Sequence, residues 1–310
     1  NSNNIHLESN FNKQLTMKKK HINFDNYEGL IFEGGGTKGF CYPGIIRYLE
    51  EQKNMSQLQY LGGTSIGAII ASLIAVDYNS SEIEIILKNG YQLLKSKKFT
   101  SFKDFYRLLT SFGLIDGQIF QDFLDQLIEN RIGFKNCTFQ QLKEITNKTL
   151  RIGSCCLTNE QFYLLDYQNY PDMPISLALR TSFSIPLVFT LTTWNKKQYV
   201  DGGVLGNLPL KSFPNRKCIA FSLRSNYEQQ KISNKPQNLY EYLLILFNII
   251  INAAQYENGN YAYFHKELEN VSIYEINTLD IKTLDLNINQ QKINQIIKHG
   301  YQQMKRFERL

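Results

Sequence analysis

Three short glycine motifs follow one another along the chain, and each holds a group able to act on an ester. Gly34-Gly35-Gly36-Thr37-Lys38-Gly39 comes first, Gly63-Thr64-Ser65-Ile66-Gly67 follows, and Asp201-Gly202-Gly203 comes last. The middle motif has the form of a nucleophile elbow, which presents a serine hydroxyl on a sharp strand-to-helix turn. Such a serine ordinarily hands its proton to a histidine. The chain has four histidines, His6, His21, His265 and His299, and none adjoins a motif. His265 and His299 each neighbour a lysine in helix-like sequence and read as exposed helix residues. An aspartate therefore has to be considered as the base, and Asp201, with two glycines behind it, is the candidate.

Each motif also has a plainer reading. Gly34, Gly36 and Gly39 satisfy the G-x-G-x-x-G pattern of dinucleotide sites, but the next strand ends at Leu61-Gly62-Gly63 without the acid that would hold a ribose. A phosphate-binding P-loop needs lysine directly after the last glycine, where Phe40 stands. An oxyanion hole remains, with backbone N–H groups aimed at a developing negative charge and Lys38 adding positive potential. A structural turn is the alternative to all three. Gly63-x-Ser65-x-Gly67 alone could be a tight turn with an N-capping serine. Asp-Gly alone is a common hairpin turn. A carboxylate is a poor base unless it is positioned and partly desolvated, and glycines let it approach a serine closely.

The elements expected around these motifs alternate between strand and helix. Leu30–Phe32 reads as a buried strand ahead of the glycine loop, and Phe40–Gln52 as a helix with Pro43 in its first turn. Leu58–Leu61 reads as a strand leading into the serine motif. Ala68–Val76 is apolar nearly all round and reads as a buried helix. Ser81 with Glu84 has the pattern of a capping box. Leu150–Leu157 and Gln161–Asp166 read as strands, Leu187–Trp194 with Gln198–Val200 as a hairpin, Cys218–Leu223 and Val271–Ile276 as strands, and Ile288–Phe307 as a terminal helix. This order predicts an α/β fold, a three-layer α/β/α sandwich around a mixed, mainly parallel sheet. Residues 1–23 read as a polar arm containing Lys18-Lys19-Lys20, and residues 24–310 as a single domain.

Bulk properties narrow the function. The 310 residues carry a formal net charge of +6, with 43% hydrophobic and 20% charged residues. That is an ordinary globular composition, without the concentrated basic face of a nucleic-acid binder. The five cysteines (Cys41, Cys137, Cys155, Cys156 and Cys218) are scattered and form no C-x-x-C pair. They read as reduced, buried thiols of a cytoplasmic protein and argue against zinc. No signal peptide is evident. The longest apolar run, Leu243–Ala254, is interrupted by Asn248 and Asn252 and falls short of the roughly 20 residues a bilayer needs. It reads as a core helix. Lys95-Ser96-Lys97-Lys98-Phe99, followed by Phe102, Phe105 and Tyr106, mixes cations and aromatics in a way that suits an anionic lipid interface, or else packs its aromatics inward.

Taken together the motifs resemble those of patatin-like phospholipases. Gly34–Gly39, Gly63–Gly67 and Asp201–Gly203 carry the resemblance, supported by Thr181-Ser182-Phe183-Ser184-Ile185-Pro186 ahead of the aspartate strand and Asn207-Leu208-Pro209 after it. Spacing and order agree from about Phe24 to Leu223. The last 85 or so residues carry no motif. The resemblance implies a patatin-like fold, related to α/β-hydrolases, with Ser65 as nucleophile and Asp201 as its partner in a Ser–Asp dyad. It implies an oxyanion hole drawn from Gly34, Gly35, Gly36, Lys38 and Ile66, with Lys38 where many members carry arginine. It implies no metal and no cofactor, a membrane phospholipid as substrate, and a cytoplasmic protein in peripheral contact with membranes. Delivery into a host cell would be compatible with that. A neutral-glyceride lipase of the same fold, or a silent lipid- or protein-binding member, are the alternatives.

Overall fold

A computed structural model describes residues 24–52, 54–96, 102–225, 242, 245–246, 249, 269–285 and 287–309. The arm expected over 1–23 and His265 lie outside the described residues. So do Lys97, Lys98 and Phe99 of the cationic-aromatic segment.

The strands are β1 (Gly29–Phe32), β2 (Tyr60–Thr64), β3 (Gly113–Ile115), β4 (Thr149–Cys156), β5 (Gln161–Leu165), β6 (Leu187–Phe189), β7 (Thr192–Trp194), β8 (Lys197–Asp201), β9 (Cys218–Arg224) and β10 (Val271–Asn277). The helices are α1 (Tyr42–Gln52), α2 (Ile66–Ala75), α3 (Ser80–Lys95), α4 (Phe102–Ser111), α5 (Gln118–Ile132), α6 (Phe139–Thr146), α7 (Ile175–Ser182), the short α8 (Gly203–Gly206) and α9 (Gln290–Arg309). The main sheet runs β10-β9-β1-β2-β4-β8-β7, with β5 also on β4, and β3 pairs β6 in a small second sheet. From β10 to β4 every pairing is parallel, whereas β5, β8 and β7 join antiparallel. The sheet is mixed and mainly parallel with helices on both sides, as expected.

Parallel strands buried on both faces read as continuous apolar runs, and here alternate residues divide between two cores. Leu30 and Phe32 of β1, with Ile219, Phe221 and Leu223 of β9, join the large core. Ile31, Cys218 and Ala220 face the other way, onto Leu208, Leu210 and Phe213. Helix α2 is buried on nearly every side, as its sequence predicts; Ala68, Ile70, Ala71, Leu73 and Ile74 each retain 3% exposure or less. Each fully buried Leu or Ile there contributes about 1.5–3 kcal/mol. The five cysteines are free and buried.

Four local expectations are corrected. Strand β2 does not stop at Leu61 but continues through both glycines to Thr64, held by parallel partners on each side. The capping box at the start of α3 is Asn79 with Glu82, because the helix begins at Ser80 and only Glu82 can reach back to the Asn79 N–H. The expected strand over Leu187–Trp194 divides: β6 joins β3, and β7 alone makes the hairpin with β8. Most of the apolar run expected as a core helix (243–244, 247–248 and 250–254) lies outside the described residues, and Ile245, Leu246 and Ile249, which are described, are exposed rather than buried. No described helix is long and apolar enough to cross a membrane. Helix α3 carries Gly90 in its interior, where glycine costs about 0.5–1 kcal/mol relative to alanine.

Candidate active site

Strand β4 brings the serine and the aspartate together. Thr64, the last residue of β2, lies opposite Gly153, and Asp201, the last residue of β8, lies opposite Ser154. The other edge of β4 is taken by β5, so β2 and β8 share one edge and approach each other end to end. Ser65 follows directly from β2 and meets Asp201. Its hydroxyl donates to Asp201 Oδ2 at 2.7 Å, across 136 positions of sequence. The second carboxylate oxygen accepts from the Gly203 N–H at 2.7 Å. Asp201 therefore ends a strand ahead of the one-turn α8, rather than forming the hairpin turn that Asp-Gly alone suggests.

Ser65 has φ 54° and ψ −125°, a conformation that residues with a Cβ rarely adopt and that costs about 1–3 kcal/mol. The surroundings impose it. Gly63 and Gly67 flank the turn because it leaves no room for side chains. A Cβ at Gly63 would lie 2.4 Å from Gly67 backbone atoms, and one at Gly67 would lie 2.2 Å from the Phe32 carbonyl oxygen. The Ser65 N–H donates to Ser182 Oγ at 2.8 Å, and the Ser182 hydroxyl donates to the Gly153 carbonyl at 2.6 Å. Ser182 thus ties the elbow to β4. Replacing it with alanine leaves a buried N–H without its acceptor, and a loss of about 1–3 kcal/mol in thermal unfolding is expected. In ester kinetics the same variant is expected to lower kcat more than it raises KM, because the turn that aims Ser65 is loosened.

Burial governs the charges. Asp201 is 3% exposed, and removal from water pushes its carboxyl up to about 7, against the pull of the Ser65 hydroxyl and the Gly203 N–H. Glu33, directly after β1, is likewise raised by burial, opposed by the Arg224 charge and by hydrogen bonds from the Leu223 N–H and Ser222. Arg180 is buried and pushed down to about 10 by desolvation. Its guanidinium donates to Ser184 Oγ and to the Thr190 carbonyl and hydroxyl at 2.6 and 2.8 Å. The Ser184 carbonyl in turn accepts the Asp201 N–H at 2.9 Å, so Arg180 anchors the segment to which the base candidate is hydrogen-bonded.

The glycine loop splits into scaffold and rim. Gly34 N–H donates to the Asn207 carbonyl at 3.0 Å, and Asn207 Nδ2 returns a bond of 3.0 Å to the Gly34 carbonyl and one of 3.3 Å to Glu33 Oε1. Gly34, expected among the oxyanion donors, thus has its N–H engaged in pinning the loop to the chain after α8. Lys38 is buried, with its stem beneath Gly35 and its charge acting on Glu33. Gly36 opens a 3-10 helix and Ile66 opens α2, and the first N–H groups of a helix have no partner within it. Gly36, Ile66 and Ser65 all line one cavity; Gly35 does not.

That cavity encloses about 230 Å³. Apart from Ser65, Gly36 and Thr37 its wall is almost wholly apolar, including Phe40, Ile69, Leu87, Tyr91, Phe120, Phe123, Phe183 and Phe189. Phe120, Phe183 and Phe189 pack edge to face with ring centroids 5.4–6.4 Å apart. His299 lies on α9, half-buried. No group of three or more His, Cys, Asp or Glu side chains suited to a metal ion occurs among the described residues. The arrangement joins a hydroxyl, a buried carboxylate within hydrogen-bond reach and helix N-termini beside an apolar chamber, a set of parts able to perform acyl transfer.

Ser182, Arg180, Glu33 and the partnership of Asn207 with Gly34 are supporting residues that sequence reasoning did not assign. The signals available were weak: a serine and an arginine in Arg180-Thr181-Ser182, and an acid directly ahead of three glycines.

A family model described as patatin-like phospholipase matches residues 30–214. The chain is 25% identical over 295 residues to uncharacterized protein R571 of Acanthamoeba polyphaga mimivirus, spanning 92% of this chain and 95% of that one. It is 29% identical over 185 residues to probable lipid hydrolase 463L of invertebrate iridescent virus 6, spanning 59% and 62% respectively. Among solved structures, VipD from Legionella pneumophila matches with a TM-score of 0.58 at 18% identity, over 92% of this chain and 67% of VipD, a likeness of fold. The chain belongs to the patatin-like phospholipase family.

Proposed function

We propose that the chain is a lipid acyl hydrolase that cleaves fatty acyl esters of membrane phospholipids through an acyl-enzyme, with residues 24–310 as one catalytic unit. The observation that carries this reading is that Ser65, in the wall of an apolar cavity, has its hydroxyl bonded to the buried Asp201 carboxylate. Family membership and a relative named as a probable lipid hydrolase support it.

In this mechanism Ser65 Oγ attacks the ester carbonyl carbon while its proton passes to Asp201 Oδ2. N–H groups of Ile66 and Gly36, with Gly35 beside them, stabilise the oxyanion, and Lys38 beneath the loop adds positive potential. Collapse of the tetrahedral intermediate expels the alcohol half of the lipid, which takes the proton from Asp201. A water then gives its proton to Asp201 and attacks the acyl carbon, and Ser65 leaves with that proton restored. Burial that raises Asp201 makes it a stronger base than a free carboxylate, better matched to neutral pH.

The protein would work at a lipid surface, in peripheral contact. Tyr106 and Leu109 of α4 and the following Phe112 are 62%, 61% and 58% exposed. Helix α4 packs on β3, the strand that follows Phe112 and whose Ile115 lines the cavity.

The test is fatty acid release from phosphatidylcholine vesicles and from a triolein emulsion, with sedimentation of the protein on the same vesicles. Faster release from phosphatidylcholine, together with co-sedimentation, is the expected outcome. Release from triolein alone would identify a neutral-glyceride lipase. A folded protein that binds vesicles and releases nothing would be a silent binding member, and the hydrolase reading would be withdrawn.

A further inference from the structure

We infer that Gly90 sets the acyl-chain length this site accepts, by holding open the part of the cavity that takes a long fatty acyl tail. The inference rests on reading the cavity as the acyl site. Helix α3 turns one apolar stripe toward it: Ile86, Leu87, Gly90, Tyr91 and Leu94 all belong to the cavity wall, at helical spacing. Position 90 is where that stripe lacks a side chain.

Backbone geometry does not call for glycine there. Gly90 lies inside the 16-residue α3 and is not among the glycines with positive φ. A Cβ at this position would meet only the Phe123 ring, at 3.9 Å, an ordinary contact. This differs from Gly63 and Gly67, where a Cβ would overlap backbone atoms. Glycine weakens a helix interior, and here it leaves empty space bounded by Phe123 on α5, which itself lines the cavity. A larger side chain at 90 would project into that space and fill it.

The consequence is a graded change in specificity. Each methylene of substrate buried in an apolar site adds up to about fourfold in kcat/KM, so each one displaced removes a similar factor. The experiment compares p-nitrophenyl butyrate, octanoate and palmitate on the wild type and on Gly90→Ala, Gly90→Leu and Gly90→Phe, with thermal unfolding of each protein. The palmitate-to-butyrate ratio of kcat/KM is expected to fall progressively from alanine to phenylalanine, by about tenfold or more in Gly90→Phe. Gly90→Ala is expected to fold at least as stably as the wild type, and it keeps the series readable if the phenylalanine variant does not fold. A ratio that stays constant across the folded variants, in a wild type that hydrolyses these esters, would overturn the role of Gly90 while leaving the hydrolase reading intact. A folded wild type that hydrolyses none of them would overturn the hydrolase reading and this inference with it.

Discussion

Ser65→Ala is expected to abolish ester hydrolysis, lowering kcat by about 10⁴-fold or more, while the protein folds normally and still binds vesicles. The size follows from chemistry that nothing nearby can replace. The Ser65 hydroxyl is the group bonded to Asp201, and the elbow conformation belongs to the backbone, so alanine keeps the turn and loses the oxygen. Labelling by a fluorophosphonate probe gives an independent readout. The wild type should be labelled and the variant should not, and fatty acid release should disappear in parallel. Unimpaired release by Ser65→Ala would place the nucleophile elsewhere.

Asp201→Asn is expected to lose about 10³-fold in kcat and, at alkaline pH, to be more stable than the wild type. Asparagine cannot take the serine proton, which accounts for the activity. The stability follows from burial. Asp201 has its carboxyl raised from 3.8 to about 7, so the folded chain holds this proton more tightly than the unfolded chain does. Its contribution is most favourable below about pH 4 and is lost as pH rises from there to about 7. Above that range the wild type carries an ionised carboxylate 3% exposed to solvent, a cost of at most on the order of 4 kcal/mol. The neutral amide avoids it. Thermal unfolding should therefore show the variant melting above the wild type at pH 8, with the gap closing toward pH 4. In the wild type, kcat/KM should rise about tenfold per pH unit below pH 7 and level off above it, as the base ionises. A flat profile from pH 5 to 8 would mean that Asp201 is not the base.

Both variants probe an arrangement in which the proposed function opposes stability. A strained serine and a desolvated carboxylate each weaken the fold, and the scaffold around them holds both in place. Ser182 accepts the elbow N–H, Arg180 anchors the segment bonded to Asp201, and Asn207 clamps Gly34 from both sides.

The sequence by itself determined the parts that short-range backbone chemistry specifies. Gly63-x-Ser65-x-Gly67 is legible because the elbow excludes side chains at its flanks, and the crowding at Gly63 and Gly67 is that requirement. The strand and helix order and the buried α2 were legible because burial imposes apolar periodicity on neighbouring residues. Local signals misled where tertiary partners decided the matter. Leu187–Trp194 carries one strand-like pattern, yet β6 pairs with β3, which enters from 74 residues upstream, and only β7 pairs with β8. Asp-Gly reads locally as a turn, but the register of β8 on β4 makes Asp201 a strand end facing Ser65. Only the tertiary structure decided that meeting, because it depends on β2 and β8 sharing one edge of β4. It also decided which loop residues line the cavity, how far Asp201 is desolvated, and that the gap at Gly90 opens into an apolar chamber. These are properties of contacts between distant segments, and in an unfolded chain such segments have no fixed relation to one another.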